Sequence, residues 1–396
     1  MERIVEELLF NVLQMKRQMS VNELRQAANQ LADDFLAIGE NATEGEYRKA
    51  FSKLFKSKGI WHWMDSVKYG TTLCGLLFFS QKYDDLSTSL SLIEELYPSY
   101  SKDCEYDYLN KCRIHEQWAA MLVKAENESE AYEHLKKAAY YIFIDNISYD
   151  NFEYFSFRYF SEYALDDIKN NTICLAHPGT FNDPMDTILL RWNQYLCDTA
   201  DDGIEKTLRL LYKKVYDHIK VRCFVRNDKL PRDLKSFIEG NIKKEQEIED
   251  VNPIMWAHYA NYHKGFCVKY KLPSIIVNNQ DENNLTWTRI GNIEYQPEMI
   301  FAERKEFGVL NVLFSKHDVW EYEKEVRIVH YDPNDSSDYK TITIPEGSIQ
   351  EVYLGLRCSD VNRERMKLLL RNRNIRLFQM KVDPNNCYKL IKERIL

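Results

Sequence analysis

What this 396-residue chain lacks narrows its possibilities first. No apolar run is long enough to span a bilayer, and the N-terminal MERIVEELLF is acidic and amphipathic, so neither a membrane protein nor a secreted one is indicated. The nine cysteines (74, 104, 112, 174, 197, 223, 267, 358 and 387) form no CxxC pair. Their odd number and the missing secretion signal point to a reducing cytoplasm and away from a zinc site. Glycine and proline are few, 13 and 10, while aromatics reach 13%, an ordinary globular composition. Positive charge is in deficit, and a net charge of −8 gives no general attraction to nucleic acid. GxGxxG, GxxxxGK[ST] and GxSxG are all absent, so Rossmann, P-loop and hydrolase-elbow chemistries lose their main supports.

What is present falls into two halves, as the length itself suggests. Residues 1–147 read as helices throughout, with apolar residues at three- and four-residue spacing in VEELLFNVLQMK, VNELRQAANQLADDFLAI, GEYRKAFSKLFKS, WMDSVKYGTTLCGLLFFSQ, LSTSLSLIEELYPSY and RIHEQWAAMLVKAENESEAYEHLKKAAYYI. Ser20, Thr43 and Asp84 or Asp85 are the expected N-caps. SEAYEHLKKAAYYI is similar to the second helix of a tetratricopeptide unit, but no clean 34-residue period recurs, so irregular helical hairpins that bind a protein partner are expected. Residues 148–396 change grammar. TICLAH, VRCFV, GFCVKY, NIEYQ, EVRIVHY, KTITI, IQEVYLG and RLFQMKV read as strands, with helices such as GIEKTLRLLYKKVYDHI and NVLFSK between them. The expected fold class is α+β, a helical domain followed by a mixed, largely antiparallel sheet domain.

Polar groups concentrate where the elements of the second half end. Arg158 stands among six aromatics in FEYFSFRYFS, either as a stacked structural cation or as a fork for phosphate or carboxylate. In AHPGTFNDPMD, Pro184 holds Asp183 out of the helical region, and Asn182 and Asp183 can close a turn on their own backbone. Asp186 is placed to cap a helix over TILLRWNQYL. That reading leaves His177 and Phe181, which flank the same loop, unexplained. In NPIMWAHYANYHKGFCVKY, helical spacing puts Trp256, Tyr259, Ala260 and His263 on one face and His258 and Tyr262 on another. The helix is expected to end at Lys264-Gly265, and histidines five apart do not share a helical metal face. In DVWEYEKEVRIVHY, strand alternation gives Glu325, Arg327 and Val329 one face, with Glu323 on the same parity. Two carboxylates and an arginine in one row are costly unless something uses or pairs them. The plain alternative is a Glu–Arg ladder at a sheet edge. The C-terminal NRERMKLLLRNRNIRLFQMKV, with seven basic residues and one acidic, is either a solvated helix face or a phosphate-binding surface.

Taken in order, LDDIKNNTICLAHPGTFNDPMD, VRCFV, MWAHYANYHKGFCVKY, KHDVWEYEKEVRIV, IQEVYLGLRCS and IRLFQMKV resemble the bacterial family catalogued as domain of unknown function 2971, over about residues 152–382. One departure is visible. CFVRND stands where the family usually has a serine after Cys-Phe, which puts the position of Val225 in doubt as a site. At a weaker level, an arginine on an early strand, aromatics on a middle element and Glu-x-Glu entering a later strand look like the ADP-ribosyltransferase layout. That similarity implies NAD as a substrate. Arg158 would hold its phosphates, Trp256 or Tyr259 would stack on the nicotinamide, Glu325 would be the catalytic carboxylate and Glu323 would orient the acceptor. Asn182 and Asp183 would line the mouth of the pocket, with His258 and Arg327 among its ligand contacts. The expectation is a cytoplasmic toxin or antiphage-defence effector acting on a protein or nucleic-acid acceptor under control of the helical domain. A metal-dependent phosphoesterase or nuclease built on Asp183, Asp186, Glu323 and Glu325 is the first alternative. A non-catalytic ligand- or protein-binding module is the second.

Overall fold

The computed structural model describes residues 20–38, 42–56, 58–83, 85–105, 107–141, 152–181, 186, 203–226, 248–273, 276, 279–297 and 313–396. The expected helices over VEELLFNVLQMK and TILLRWNQYL lie outside the described residues, as do Asn182, Asp183 and Pro184. By packing, the chain forms two compact units, residues 1–142 with 196–212, and residues 143–195 with 213–396. The return of 196–212 to the first unit carries no signal in the sequence.

The first unit is helical. α1 (Val21–Leu36) starts at Ser20, whose hydroxyl accepts from the Glu23 amide while the Glu23 carboxylate accepts from the Ser20 amide. α2 (Glu44–Lys56) repeats the device with Thr43 and Glu46. A 3₁₀ turn over Lys58–Trp63 leads to α3 (Ser66–Lys82), capped by Asp65, and then to α4 (Leu86–Asp103). The continuous apolar run from 113 to 142 divides into α5 (Tyr108–Lys124) and α6 (Glu128–Tyr141), because Glu126 takes a left-handed φ of 61° between them. Buried Ala28, Ala32, Ala131, Ala138 and Ala139 let helices approach closely around Trp61, Trp118 and Tyr100.

The second unit is a sheet covered on both faces by helices. Its elements are β1 (Phe152–Arg158), α7 (Glu162–Asn170), β2 (Thr172–Ala176), the last turn of α8 (Gly203–Tyr216), whose residues up to Tyr212 belong to the first unit, β3 (Ile219–Val225), α9 (Ile254–Tyr259), β4 (Phe266–Leu272), β5 (Asn279–Asp281), β6 (Thr286–Asn292), β7 (Glu294–Gln296), β8 (Ser315–His317), β9 (Glu325–Tyr331), β10 (Tyr339–Thr343), β11 (Ile349–Leu354), α10 (Asp360–Leu370), β12 (Arg376–Asp383) and β13 (Asn386–Arg394). The main order is β13-β12-β11-β4-β1-β3-β9-β6-β5, with β2 and β10 branching from β3, and β7 pairs β8 separately. Pairing is antiparallel except for β11 with β12 and β7 with β8, so the chain is α+β with a mixed, largely antiparallel sheet. One apolar cluster joins α7 and α10 to one face, and another joins α9 to the opposite face. Among the described residues, no helix is long and apolar enough to cross a membrane.

Two expectations need correction. NVLFSK does not run as a helix, since Ser315–His317 extend as β8 to pair with β7. The helix at Trp256 ends at Tyr259, well short of Gly265, because Asn261, Tyr262 and His263 all take left-handed φ values of 48–66°. Those three residues turn the chain tightly so that Gly265 bonds back to the Ala260 carbonyl and enters β4 against the Arg158 carbonyl.

The feature that positions a site is a split in the sheet. β3 pairs with β9 along its full length, from Ile219↔Tyr331 to Val225↔Glu325. On its other edge it meets β1 only at Phe155↔Val225 and β2 only at Ala176↔Val221. β1 and β2, joined by α7, therefore diverge across Arg222–Phe224.

Candidate functional site

A cavity of about 240 Å³ fills this split. Its walls are apolar, with Phe155 and Phe157 from β1, Phe181, and Met255 from α9, while Tyr259, Lys316, Glu323, Glu325 and Asp186 form a polar end. Backbone geometry supplies a further polar edge. The Arg226 amide bonds to the Lys324 carbonyl on the β9 side, so alternation turns the peptide groups of Arg222 and Phe224 toward β9 as well. The N–H and C=O of Cys223 then point the other way, into the split. Among the described residues, no strand pairs with Cys223 there.

The polar end is a closed ionic network. The Lys316 ammonium lies 2.6 Å from Glu323 Oε2, 3.1 Å from Glu325 Oε2 and 3.6 Å from Asp186 Oδ2. Arg327, fully buried, donates from Nε to Glu325 Oε1 and from Nη2 to Asp186 Oδ2, each at 2.6 Å, and from Nη1 to the Leu313 carbonyl at 3.0 Å. Its guanidinium lies 5.8 Å from the centre of the Phe181 ring. The Glu325 amide donates to the Tyr295 hydroxyl at 2.8 Å. Among the described residues, three carboxylates face two cations here.

The two glutamates differ in character. Burial alone would raise Glu325, but Arg327 and then Lys316 overcome it and hold the carboxyl down at about 2. Glu325 is thus a fixed anion. Burial pushes Glu323 up despite Lys316, and Glu325 adds to the push. Its second oxygen accepts from the Tyr259 hydroxyl, which burial and then Glu323 hold above its usual range. Lys316 stays protonated because Glu325 and Glu323 outweigh its burial. Burial, then Glu325, raises the Cys223 thiol, so it is no nucleophile here.

Around this cavity the structure brings together Glu323, Glu325, Tyr259 and Arg327, with Phe181 and Asp186 from the AHPGTFNDPMD stretch. Val225 is there too, directly opposite Glu325. Arg158 is elsewhere. Strand alternation points it to the opposite face, where its Nη1 binds Asp167 Oδ2 at 2.9 Å, so the phosphate-clamp role fails on geometry. Trp256, 1% exposed, packs edge-on against Phe157 and parallel to His263, so no ring face remains for a ligand. The His258 ring faces Tyr322 and Trp320, with Nδ1 3.2 Å from the Tyr322 hydroxyl, and is not among the cavity walls. His177 caps a turn through the Gly179 amide. The basic C-terminal helix is neutralised locally by Arg363–Asp360, Arg365–Glu162 and Lys367–Glu364 pairs, as a solvated face would be.

Lys316, Tyr295, Cys223 and Arg222 escaped the sequence reading. Parity in β3 was the available signal for Cys223, which lies opposite Arg327. Lys316 sits in a run that reads as helical, and nothing local marks it. Among the described residues, no group of three or more His, Cys, Asp or Glu is placed to share a metal ion. The acids converge on an ammonium instead.

The family model described as a protein of unknown function (DUF2971) matches residues 255–328. The matched segment runs from the first turn of α9 into β9 and so carries Tyr259, Lys316, Glu323, Glu325 and Arg327. No curated protein and no solved structure matches the chain.

Proposed function

We propose that this chain, whose residues 255–328 belong to the DUF2971 family, is an effector whose sheet unit binds the ring-bearing end of an NAD-type nucleotide and works on it with Glu323. The observation that carries this reading is the state of Glu323. It is a buried carboxylate with raised proton affinity, held by Tyr259 and Lys316 at the polar end of an aromatic-walled cavity. Carboxylates and aromatic walls favour a flat, positively charged ring, which gains from both. The nicotinamide–ribose end of NAD has that chemistry. At about 240 Å³ the cavity is smaller than the roughly 300–1,000 Å³ of drug-sized sites, so it takes one end of a dinucleotide.

Glu323 takes the role that the weaker ADP-ribosyltransferase likeness gave to Glu325. A carboxylate at the sugar offsets the positive charge that develops as the bond to nicotinamide lengthens. Glu325 is locked between Arg327 and Lys316 and serves as the anchor that positions Lys316 against Glu323. The helical unit is proposed to bind the protein partner or trigger, as stacked helical hairpins commonly do, in a toxin or antiphage-defence setting.

The test is NAD titration together with chromatography of released nicotinamide. Glu323→Gln is expected to cut turnover by about 100-fold or more while leaving the melting temperature within a few degrees. Unchanged turnover in that variant removes Glu323 from the chemistry, and NAD that neither binds nor is consumed overturns the reading.

A second reading has one observation in its favour. Among the described residues, Lys316 and Arg327 engage all three carboxylates, as in a site that holds a ligand and does no chemistry; NAD binding without turnover selects it. The metal-dependent phosphoesterase reading fares worse, because the Lys316 ammonium already stands where Asp186, Glu323 and Glu325 converge.

A further inference from the structure

The cavity has a second pole. Arg222 leaves β3 on the face opposite Cys223, yet it lines the cavity through the split. Its Nη2 donates to the Ser156 hydroxyl, and its buried Nε has no hydrogen-bond partner. Among the described residues no carboxylate pairs with it. Asp167 is occupied by Arg158 at 2.9 Å and by the Thr172 hydroxyl at 3.0 Å. Among the described residues, Arg158 and Arg222 thus have one carboxylate, Asp167, near them both. The Phe224 ring lies beneath the Arg222 guanidinium, 5.8 Å away at its centre. Burial, then Arg158, lowers Arg222 to about 10, so it remains charged at neutral pH.

A half-buried guanidinium with an orphaned, buried donor is costly unless something supplies the acceptor. Salt bridges built for stability elsewhere in this unit are closed, as Lys269–Glu153 and Arg327–Glu325 are. We infer that Arg222 is the anion-binding residue of the cavity, taking a phosphate or carboxylate of the ligand on its guanidinium. The ligand then carries its negative group toward Arg222 and its flat ring toward Glu323. The unpaired N–H and C=O of Cys223 lie between the two poles. The inference relies on the proposed function only in placing the ligand in this cavity.

The test compares nicotinamide riboside with nicotinamide mononucleotide, which share ring and sugar and differ by one phosphate, in calorimetric titrations of the full chain at low salt. The mononucleotide is expected to bind at least tenfold more tightly. Arg222→Gln is expected to erase that difference and leave riboside affinity unchanged, while Arg222→Lys retains part of it. Inorganic phosphate and acetate, followed by thermal shift, serve as ring-free probes whose ranking separates a phosphate site from a carboxylate site. Equal affinity of riboside and mononucleotide in the native protein overturns the anion subsite and leaves the proposed function standing. If neither nucleotide binds, but phosphate or acetate stabilises the native protein and not Arg222→Gln, the subsite holds and the proposed function falls. No response of the native protein to any of the four probes overturns both. Should Arg222→Gln fail to fold, the native riboside-to-mononucleotide ratio and its reduction in Arg222→Lys decide.

Discussion

At the scale of single residues, Lys316 determines whether the polar end of the cavity can exist. Three carboxylate groups lie within 3.6 Å of its ammonium, and Arg327 shares the load. Replacing Lys316 with Met keeps the volume and strands buried acids without a counter-ion. Breaking a buried pair in this way costs about 3–5 kcal/mol, expected as a lower urea midpoint with an unchanged slope. A stability loss under about 1 kcal/mol would mean the acids already share protons and the network is looser than its distances indicate. The row of Glu323, Glu325 and Arg327 was legible in the sequence because strand alternation has a fixed period of two. Lys316 was not, since one lysine after an apolar run looks like the polar face of a helix. Asp186 was legible only as a helix cap, because its partner Arg327 is remote in the chain. Arg158 misled for the opposite reason. Its aromatic neighbours were visible, but the alternation that sends it to the far face only matters once the face holding Glu325 is known.

At the scale of elements, the α9–β4 corner shows what glycine does here. A Cβ on Gly265 would collide with the Arg158 carbonyl, and one on Gly355 would collide with the His263 carbonyl. Both obstacles are backbone and cannot swing aside. Gly355→Ala is expected to destabilise by about 1–3 kcal/mol in thermal unfolding. Gly45→Ala, inside α2 with open space around it, is expected to stabilise by up to about 1 kcal/mol. Equal effects at the two positions would rule out steric crowding as the cause. The strands read correctly, such as β3, β9 and β11, are those with long apolar runs. β13 was missed because it is an edge strand in which only Leu390 is buried, so it carries little alternation. β6 was missed because Gly291 interrupts it, and the Phe314 ring packs against the space that Gly291 leaves. The split between β1 and β2 has no local signature at all. It follows from which strands pair, and pairing is a long-range property.

At the scale of the molecule, acid is expected to act early on the helical unit. Buried there, the facing nitrogens of His115 and His134 are 2.7 Å apart, and the Tyr97 hydroxyl meets the other His115 nitrogen at 2.8 Å. Burial, then His134, holds His115 well below its ordinary range, and burial, then Lys137, pushes His134 down to about 3. Both are neutral in the folded chain, whereas the unfolded imidazoles take up protons below about pH 6.5. Stability is therefore complete above that pH and declines as pH falls toward 3, by about 1.4 kcal/mol per pH unit for each proton. Urea midpoints of the helical signal at pH 7 and pH 5 measure this, and His134→Leu is expected to roughly halve the difference. A flat profile between those pH values would show that the imidazoles are not buried neutral. The bond from Arg327 to Asp186 spans 141 residues of sequence, and β2 pairs with β10, which lies later still in the chain. A growing polypeptide on the ribosome therefore cannot close the polar end of the cavity until Arg327 has emerged.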